Sequence, residues 1–149
     1  MSQGPKLYEY PLRSNEKLRY ADTDRLGHIN NTVFPMLFET GHVELLYGDG
    51  APTLESGCVF VIARLAIEFV GETHWPGMIE IGTKISKLGQ SSLELDQAMF
   101  QDGRCVATAK SVIVFFDKAN RRSRPLSPAT VQYLSSVKGA PGRNAGAHK

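Results

Sequence analysis

The hydrophobic pattern of this chain has the period of a long helix in only one stretch. Residues 34–48 repeat apolar side chains at helical spacing and end at a glycine, a common C-terminal stop. The predicted buried face consists of Phe34, Leu37, Phe38, Gly41 and Leu45. Because proline is tolerated in a first turn, Pro35 places the start of this helix between residues 31 and 35.

Beyond Gly57 the apolar residues recur at every second position, which is the period of a strand. This alternation predicts strands at 59–69, 79–86, 93–99 and 105–116. The first of them is predicted to share one face among Val59, Val61, Ala63, Leu65, Ile67 and Phe69. Asp102-Gly103 is a hairpin signal between the last two, so the sheet is predicted to be antiparallel.

Together these elements predict an α+β fold, with an antiparallel sheet of about five strands, one long helix and a short C-terminal helix. One helix leaves part of the apolar sheet surface uncovered, so a homo-oligomer is expected. We expect a dimer as the smallest unit and predict a homotetramer, with a hexamer left open.

Length and composition set further limits. The 149 residues fit one domain, predicted over 16–138, with a flexible segment at 1–15 and a disordered tail at 139–149. A formal net charge of +2 does not favour nucleic acid as a partner. There is no apolar run of about 18 residues and no secretory signal, so we expect a cytoplasmic protein without stable membrane insertion.

Residues 19–34 read RYADTDRLGHINNTVF and place polar groups where a strand meets the long helix. A carboxylate beside free N–H groups at a helix start offers both a reactive group and a place for negative charge to develop. On chemistry alone, the alternative is that Asp22 and Asp24 make turn contacts while the asparagine pair caps the helix. Asp22, Asp24 and Gly27 have the spacing that opens an EF-hand calcium loop, but the glutamate that such a loop needs at its last position would be Val33. A calcium loop is therefore excluded.

The run YADTDRLGHINN at residues 20–31 closely resembles the opening motif of the 4-hydroxybenzoyl-CoA thioesterase-like family. The resemblance continues through Phe34 and Glu39, and the order of elements over residues 18–138 agrees with it. It implies a hot-dog fold for the domain. It also implies hydrolysis of an acyl-coenzyme A thioester to a free acid and CoA, with no metal or redox cofactor.

The same resemblance assigns roles within the motif. It implies that Asp24 is the catalytic carboxylate, which either attacks the thioester carbon or activates water. The backbone N–H of Asn31 is expected to polarise the carbonyl oxygen, assisted by the helix dipole. His28 and Asn30 are expected to line the site and orient Asp24 or the water, and Asp22 is expected to be structural.

Glu39 is the alternative catalytic carboxylate, because a related hot-dog group carries its acid on the central helix. That group has a His-Gly-Gly run before the helix, whereas this chain has His-Ile-Asn-Asn, so Asp24 is favoured. Glu39 and His42 also imitate one ligand pair of di-iron bundles, but the chain has no second copy. No metal site is therefore predicted.

Coenzyme A carries anionic phosphates, which positive charge and hydroxyl or N–H donors can bind. The connection between the second and third predicted strands of the series offers such groups, and in resembling thioesterases it serves the nucleotide, often from the neighbouring subunit. The predicted binding residues are Lys87, Gly89, Ser91, Ser92 and, from the basic cluster at 118–124, Arg122. An ordinary polar hairpin and a solvated turn are the alternatives.

Three other functions stay open at this point. They are an acyl-carrier-protein thioesterase, a non-catalytic module that binds acyl thioesters, and a hydratase of the same fold. The identity of the acyl chain is not readable from the residues.

Overall fold

The computed structural model describes residues 4–139 and 143–144. Two helices and seven strands follow in chain order: β1 (Leu12–Lys17), α1 (Phe34–Tyr47), β2 (Cys58–Phe69), β3 (Met78–Leu88), β4 (Ser92–Gln101), β5 (Arg104–Asp117), β6 (Arg122–Ser123), α2 (Pro128–Lys138) and β7 (Arg143–Asn144). The predicted α+β class and the start and end of the long helix are confirmed. Neither helix has the length and hydrophobicity needed to cross a membrane, as far as the described residues go.

All seven described strands belong to one sheet with the order β2-β5-β4-β3-β1-β7, and β6 pairs antiparallel with the C-terminal end of β5. The long strands pair antiparallel, whereas β7 runs parallel to β1. The predicted hairpin between β4 and β5 turns through Asp102 (φ 53°) and Gly103 (φ 76°), the left-handed conformations that a two-residue hairpin turn requires. The five long strands curl around α1, which is the predicted hot-dog fold.

The core lies between α1 and the inner face of the sheet, and it has two parts. The first part of α1 packs its aromatic and aliphatic residues on the middle strands, through Phe34, Leu37, Phe38, Ile79, Ile81, Met99, Ala107 and Ala109. The last turn of α1 packs with α2 on the other half of the sheet, through Leu45, Leu46, Ile85, Leu93, Leu95, Ile113, Phe115, Leu134 and Val137. The first part supports the site described below.

Gly41 lies at a close approach of α1 to the sheet. A Cβ atom at this position would lie 2.6 Å from Thr83 Oγ1 and 2.7 Å from Gln97 Nε2. Gln97 cannot move away at no cost, because its buried Nε2 donates to the Phe38 carbonyl at 2.9 Å and to Thr83 Oγ1 at 3.0 Å. The absent side chain therefore allows a buried polar bridge to join α1 to β3 and β4.

Replacing Gly41 with valine is expected to lower the free energy of unfolding by about 1–3 kcal/mol, because the added atoms overpack this contact. Urea unfolding followed by circular dichroism measures the change. Gly139→Val is the matched control, since an added Cβ there approaches Ser135 O only to 3.8 Å. Equal stability of the two variants would contradict the close approach of α1.

One predicted strand face is wrong over half its length. In β2, Ile62 pairs with Ile113 and Arg64 pairs with Val112, so Ala63 is an unpaired bulge residue. The bulge reverses the alternation, because it inserts one residue into one strand of a pair. The inward positions are consequently Cys58, Phe60 and Ile62 before the bulge and Leu65, Ile67 and Phe69 after it.

The folded part of the chain begins before residue 16, the predicted start of the domain. The sheet begins at Leu12 and not at residue 16, and Tyr10, Leu12 and Ser14 are buried. The predicted flexible segment 1–15 therefore contributes most of a strand. In the tail, the backbone of Arg143–Asn144 pairs with β1. Residues 140–142 and 145–149 lie outside the described part, and the disorder predicted for 139–149 stays a prediction.

Candidate active site

The loop between β1 and α1 is held by a buried carboxylate. Asp22 is 3% exposed and ends a single 3-10 turn, Tyr20–Asp22. Its side chain accepts hydrogen bonds from Arg19 N at 2.8 Å and from Arg19 Nη2 at 2.8 Å. The hydrogen bond from the Arg19 side chain lowers the pKa of Asp22 below its usual value, although burial opposes the shift. Asp22 therefore has the contacts of a structural residue.

Replacing Asp22 with asparagine is expected to lower the free energy of unfolding by about 1 kcal/mol. This is less than a buried charged hydrogen bond usually contributes, because the Arg19 side chain is exposed. The lowered pKa means that the ionised pair stabilises the fold above pH about 4, and that this contribution is lost as the pH falls further. Urea unfolding at pH 7 and pH 3 should show the difference between wild type and variant shrinking. Asp96→Asn, which removes an exposed ion pair with Lys110, is the control; a difference that is constant with pH would contradict this role.

The two carboxylate oxygens of Asp24 differ in their hydrogen bonding. Oδ1 accepts from Leu26 N at 2.8 Å and from His28 N at 3.2 Å, which fixes the turn that passes through Gly27 at φ 83°. Oδ2 accepts from no donor within the described residues. One oxygen therefore orients the side chain while the other remains available.

The start of α1 presents a free backbone donor beside this loop. A 3-10 turn, Asn31–Val33, leads directly into the helix. The side chain of Asn30 caps this turn, accepting from Thr32 N at 2.9 Å and from Thr32 Oγ1 at 2.8 Å. The backbone N–H of Asn31 has no acceptor in the part of the chain that is described.

Asp24, His28 and Asn31 line one open cavity of about 480 Å³. The other lining residues are Ile29, Phe34, Phe69, Gly71, Glu72 and Thr73. Three of the four residues predicted as catalytic thus line the same cavity. The fourth, Asn30, caps the Asn31–Val33 turn and does not line the cavity. Glu39, the alternative carboxylate, is exposed on α1 and does not line it either.

The connection between β2 and β3 forms the opposite wall, which sequence reasoning missed. It is joined to the motif loop by Ile29 N, which donates to Thr73 O at 2.9 Å, and by a β-bridge between His28 and His74. Thr73 is 2% exposed, and its Oγ1 has no partner in the described structure. No sequence signal joins positions 28 and 74, because their proximity depends on the fold.

The five predicted CoA-binding residues lie at the other end of the sheet. Lys87 lies near the end of β3, Ser92 begins β4, and Gly89 and Ser91 lie in the turn between them, whereas the cavity lies near the start of the 11-residue β3. At about 3.3 Å per residue, the turn is roughly 30 Å away along β3. Arg122 pairs with Asp117, opposite Cys58, and is at this far end too. Within a single chain these residues therefore do not join Asp24.

The sequence pattern of the thioesterase-like superfamily matches residues 18–134, which is most of the chain and includes every element that forms the cavity. The chain belongs to this superfamily. The prediction of a thioester hydrolase is thereby confirmed for the class of enzyme. Among curated proteins, none matches this chain.

Solved structures of similar proteins agree with the fold over almost their full length. A protein from Pseudomonas aeruginosa is 23% identical, with a TM-score of 0.81, covering 91% of this chain and 98% of its own. A thioesterase from Thermus thermophilus, complexed with coenzyme A and Zn, is 27% identical, with a TM-score of 0.77 and coverages of 89% and 97%. A 1,4-dihydroxy-2-naphthoyl-CoA thioesterase from Synechocystis is 15% identical, with a TM-score of 0.73 and coverages of 83% and 94%.

Proposed function

We propose that this thioesterase hydrolyses acyl-coenzyme A in the cavity beside Asp24. The observation that carries the proposal is the meeting of an available carboxylate oxygen and an unpaired backbone N–H at one cavity. Hydrolysis of a thioester needs both, since negative charge develops on the carbonyl oxygen while a nucleophile attacks the carbon. Coenzyme A as the thiol carrier is supported by the names of the Thermus and Synechocystis structures.

Asp24 acts through Oδ2 in either of two ways. It takes a proton from a water molecule that attacks the thioester carbon, or it attacks that carbon itself and forms an anhydride that water then cleaves. In both routes the carbon–sulfur bond breaks, CoA leaves as the thiolate and the acid is released. Because Leu26 N–H and His28 N–H hold Oδ1, the reacting oxygen keeps its orientation during the reaction.

The carbonyl oxygen of the substrate accepts a hydrogen bond from Asn31 N–H. The positive end of the α1 dipole adds to this stabilisation, because Asn31–Val33 is continuous with the helix. His28 contributes its backbone N–H to Asp24, and its ring borders the cavity. The catalytic role of Asn30 is indirect, since its side chain fixes the turn that presents Asn31.

The binding of the CoA phosphates requires a second copy of the chain. β2 is the edge strand of the sheet and pairs only with β5 among the described strands. It exposes the apolar side chains Val61, Ile62, Leu65 and Phe69. A dimer in which β2 of two copies pairs antiparallel covers these residues, and a tetramer follows if two such dimers associate.

This arrangement brings the basic residues to the cavity. Antiparallel pairing places the Cys58 end of one β2 beside the Phe69 end of the other, and Phe69 lines the cavity. Arg122 lies at the Cys58 end of the sheet, so each copy offers its Arg122 to the other copy's cavity. The turn with Lys87, Gly89, Ser91 and Ser92 lies at the same end, two strands further along.

A panel of short, long and aromatic acyl-CoAs, assayed by the release of free thiol, tests the proposed function. Wild type is expected to turn over at least one of them without a carrier protein, whereas Asp24→Asn is expected to be nearly inactive. If the chain hydrolyses only acyl-carrier-protein substrates, the thiol carrier of its substrate is a protein and not coenzyme A. Binding of acyl-CoA with no thiol release would instead support a non-catalytic module.

A further inference from the structure

Three metal-ligating side chains meet at the rim of the cavity. His28 Nε2 lies 3.4 Å from Glu72 Oε2, and His74 Nε2 lies 3.5 Å from Glu72 Oε1. One ligand atom from each of the three residues lies within 4.8 Å of the others. The two imidazole rings are 5.2 Å apart, with their planes at 70°. The glutamate therefore stands between two ring nitrogens that both face it.

The two histidine–glutamate distances are close to the spacing of ligands around one small cation. Bonds of about 2.0–2.1 Å in tetrahedral geometry separate two ligand atoms by about 3.3 Å. The distances from each imidazole to its own Glu72 oxygen are close to this value. The set of three ligand atoms spans up to 4.8 Å, so the side chains must draw together to bind one ion. A plain ion pair is the alternative explanation, but Glu72 is 68% exposed, and an exposed pair alone gains little from such an arrangement.

The backbones that carry the three ligands are tied together independently of any ion. Ile29 N–H and Thr73 O, the neighbours of His28 and His74, are hydrogen-bonded at 2.9 Å. Gln101, at the end of β4, makes two hydrogen bonds to the backbone of His74. His74 N donates to Gln101 Oε1 at 3.0 Å, and Gln101 Nε2 donates to His74 O at 2.8 Å. Arg104 Nη1 donates to Glu72 O at 3.2 Å. The ligand set is thus preorganised by the sheet.

We propose that His28, Glu72 and His74 bind one divalent transition-metal ion of the Zn²⁺ class. Two imidazoles and a carboxylate suit Zn²⁺ and its neighbours, whereas Mg²⁺ and Ca²⁺ prefer sites made of oxygen alone. With three protein ligands, a fourth position stays open to water or a small ligand. The side chains of His28 and His74 are 34% and 50% exposed, so an ion reaches them from solvent.

This site shares His28 with the groups proposed for the thioester site, where the backbone N–H of His28 holds Asp24 and its side chain is not assigned a chemical step. His28 and Glu72 line the same cavity as Asp24, so the ion lies at its rim. His74 and Glu72 have no part in the proposed hydrolysis. The proposal also departs from the sequence-based expectation of no metal. The sequence did not indicate this site because its ligands come from two loops, with position 28 and position 72 lying 44 residues apart.

Calorimetric titration of the EDTA-treated, dialysed full-length chain with Zn²⁺ tests the site, and the d–d absorption of Co²⁺ reports the ligand geometry. Wild type is expected to bind one equivalent of Zn²⁺ with micromolar or tighter affinity, a rough expectation for three ligands, and to bind no Mg²⁺. His74→Gln and Glu72→Gln are expected to weaken binding at least about 100-fold, beyond the 10- to 100-fold typical of a residue that only supports a ligand. Glu68→Gln, an exposed carboxylate on β2 outside the cluster, is the matched control and is expected to bind like wild type.

Either of two results would overturn the site: no binding by wild type, or equal Zn²⁺ affinity in wild type and His74→Gln. Circular dichroism of each variant separates loss of a ligand from loss of the fold. Because the readout is binding of the ion, the result does not depend on whether the chain hydrolyses acyl-CoA.

Discussion

Asp24→Asn is expected to lower kcat/KM for acyl-CoA hydrolysis by about 100- to 10,000-fold, the range for loss of a positioned acid–base group. The amide cannot accept a proton from water at neutral pH, and it is a poor nucleophile toward a thioester. Its carbonyl oxygen can still accept hydrogen bonds from Leu26 N and His28 N, so the turn is retained. Thiol release under single-turnover conditions measures the chemical step directly.

The matched control for this variant is Asp102→Asn, in the exposed turn between β4 and β5. Asparagine adopts the positive φ of that position readily, so this control is expected to keep wild-type activity and stability. If Asp24→Asn is as active as Asp102→Asn, the assignment of the catalytic carboxylate is wrong. A variant that has lost its helical circular dichroism signal would instead mean that Oδ1 is needed to form the turn.

The second large effect is expected from Asn31→Pro, which removes a single backbone N–H. Asn31 is the first residue of its 3-10 turn, where the φ of proline is accommodated. The preceding residue, Asn30, has φ −61° and ψ 133°, which is the extended conformation that a residue before proline prefers. Since this N–H has no acceptor in the described structure, no internal hydrogen bond is lost. The expected loss is about 100- to 1,000-fold in kcat, typical for one oxyanion donor.

Asn31→Ala separates the backbone donor from the side chain, because it removes the amide group and keeps the N–H. This control is expected to retain kcat within a few-fold of wild type. Equal loss in both variants would assign the effect to the side chain of Asn31 and not to the carbonyl oxygen contact. Unchanged kcat in Asn31→Pro would require another donor for that oxygen.

The α+β class was predictable from sequence because its main determinants are local, whereas the hot-dog fold was implied by the family resemblance of residues 20–31. The chain has a single stretch of helical period, followed by a series of alternating strands with a hairpin signal. Few folds built from these elements cover the apolar face of α1 with the sheet. The site loop was predicted from the resemblance of residues 20–31 to the family motif, since chemistry alone left turn contacts and helix capping as the alternative. Asp24, His28 and Asn31 lie within eight residues, so one turn and one helix start bring them together.

Contacts between distant segments were not predictable in this way. Glu72, Thr73 and His74 reach the motif loop only because β2 delivers them to the same end of the sheet, and no periodicity encodes that meeting. A strand before the motif loop was predicted, but its start at Leu12 was missed because its residues mix polar and apolar types, LRSNEK, without clear alternation. Burial of Leu12 depends instead on pairing with β3.

The unpaired Ala63 also decides how β2 tolerates changes in length. Deleting it would restore a simple alternation along the strand, and one half would then rotate its side chains away from α1. Either Phe60 would lose its packing against the part of the core that contains α2, or Phe69 would leave the cavity wall. At that wall the ring centroids of Phe69 and Phe34 are 5.0 Å apart. A segment transplanted from a relative must therefore bring its own extra residue if the binding surface is to keep its shape.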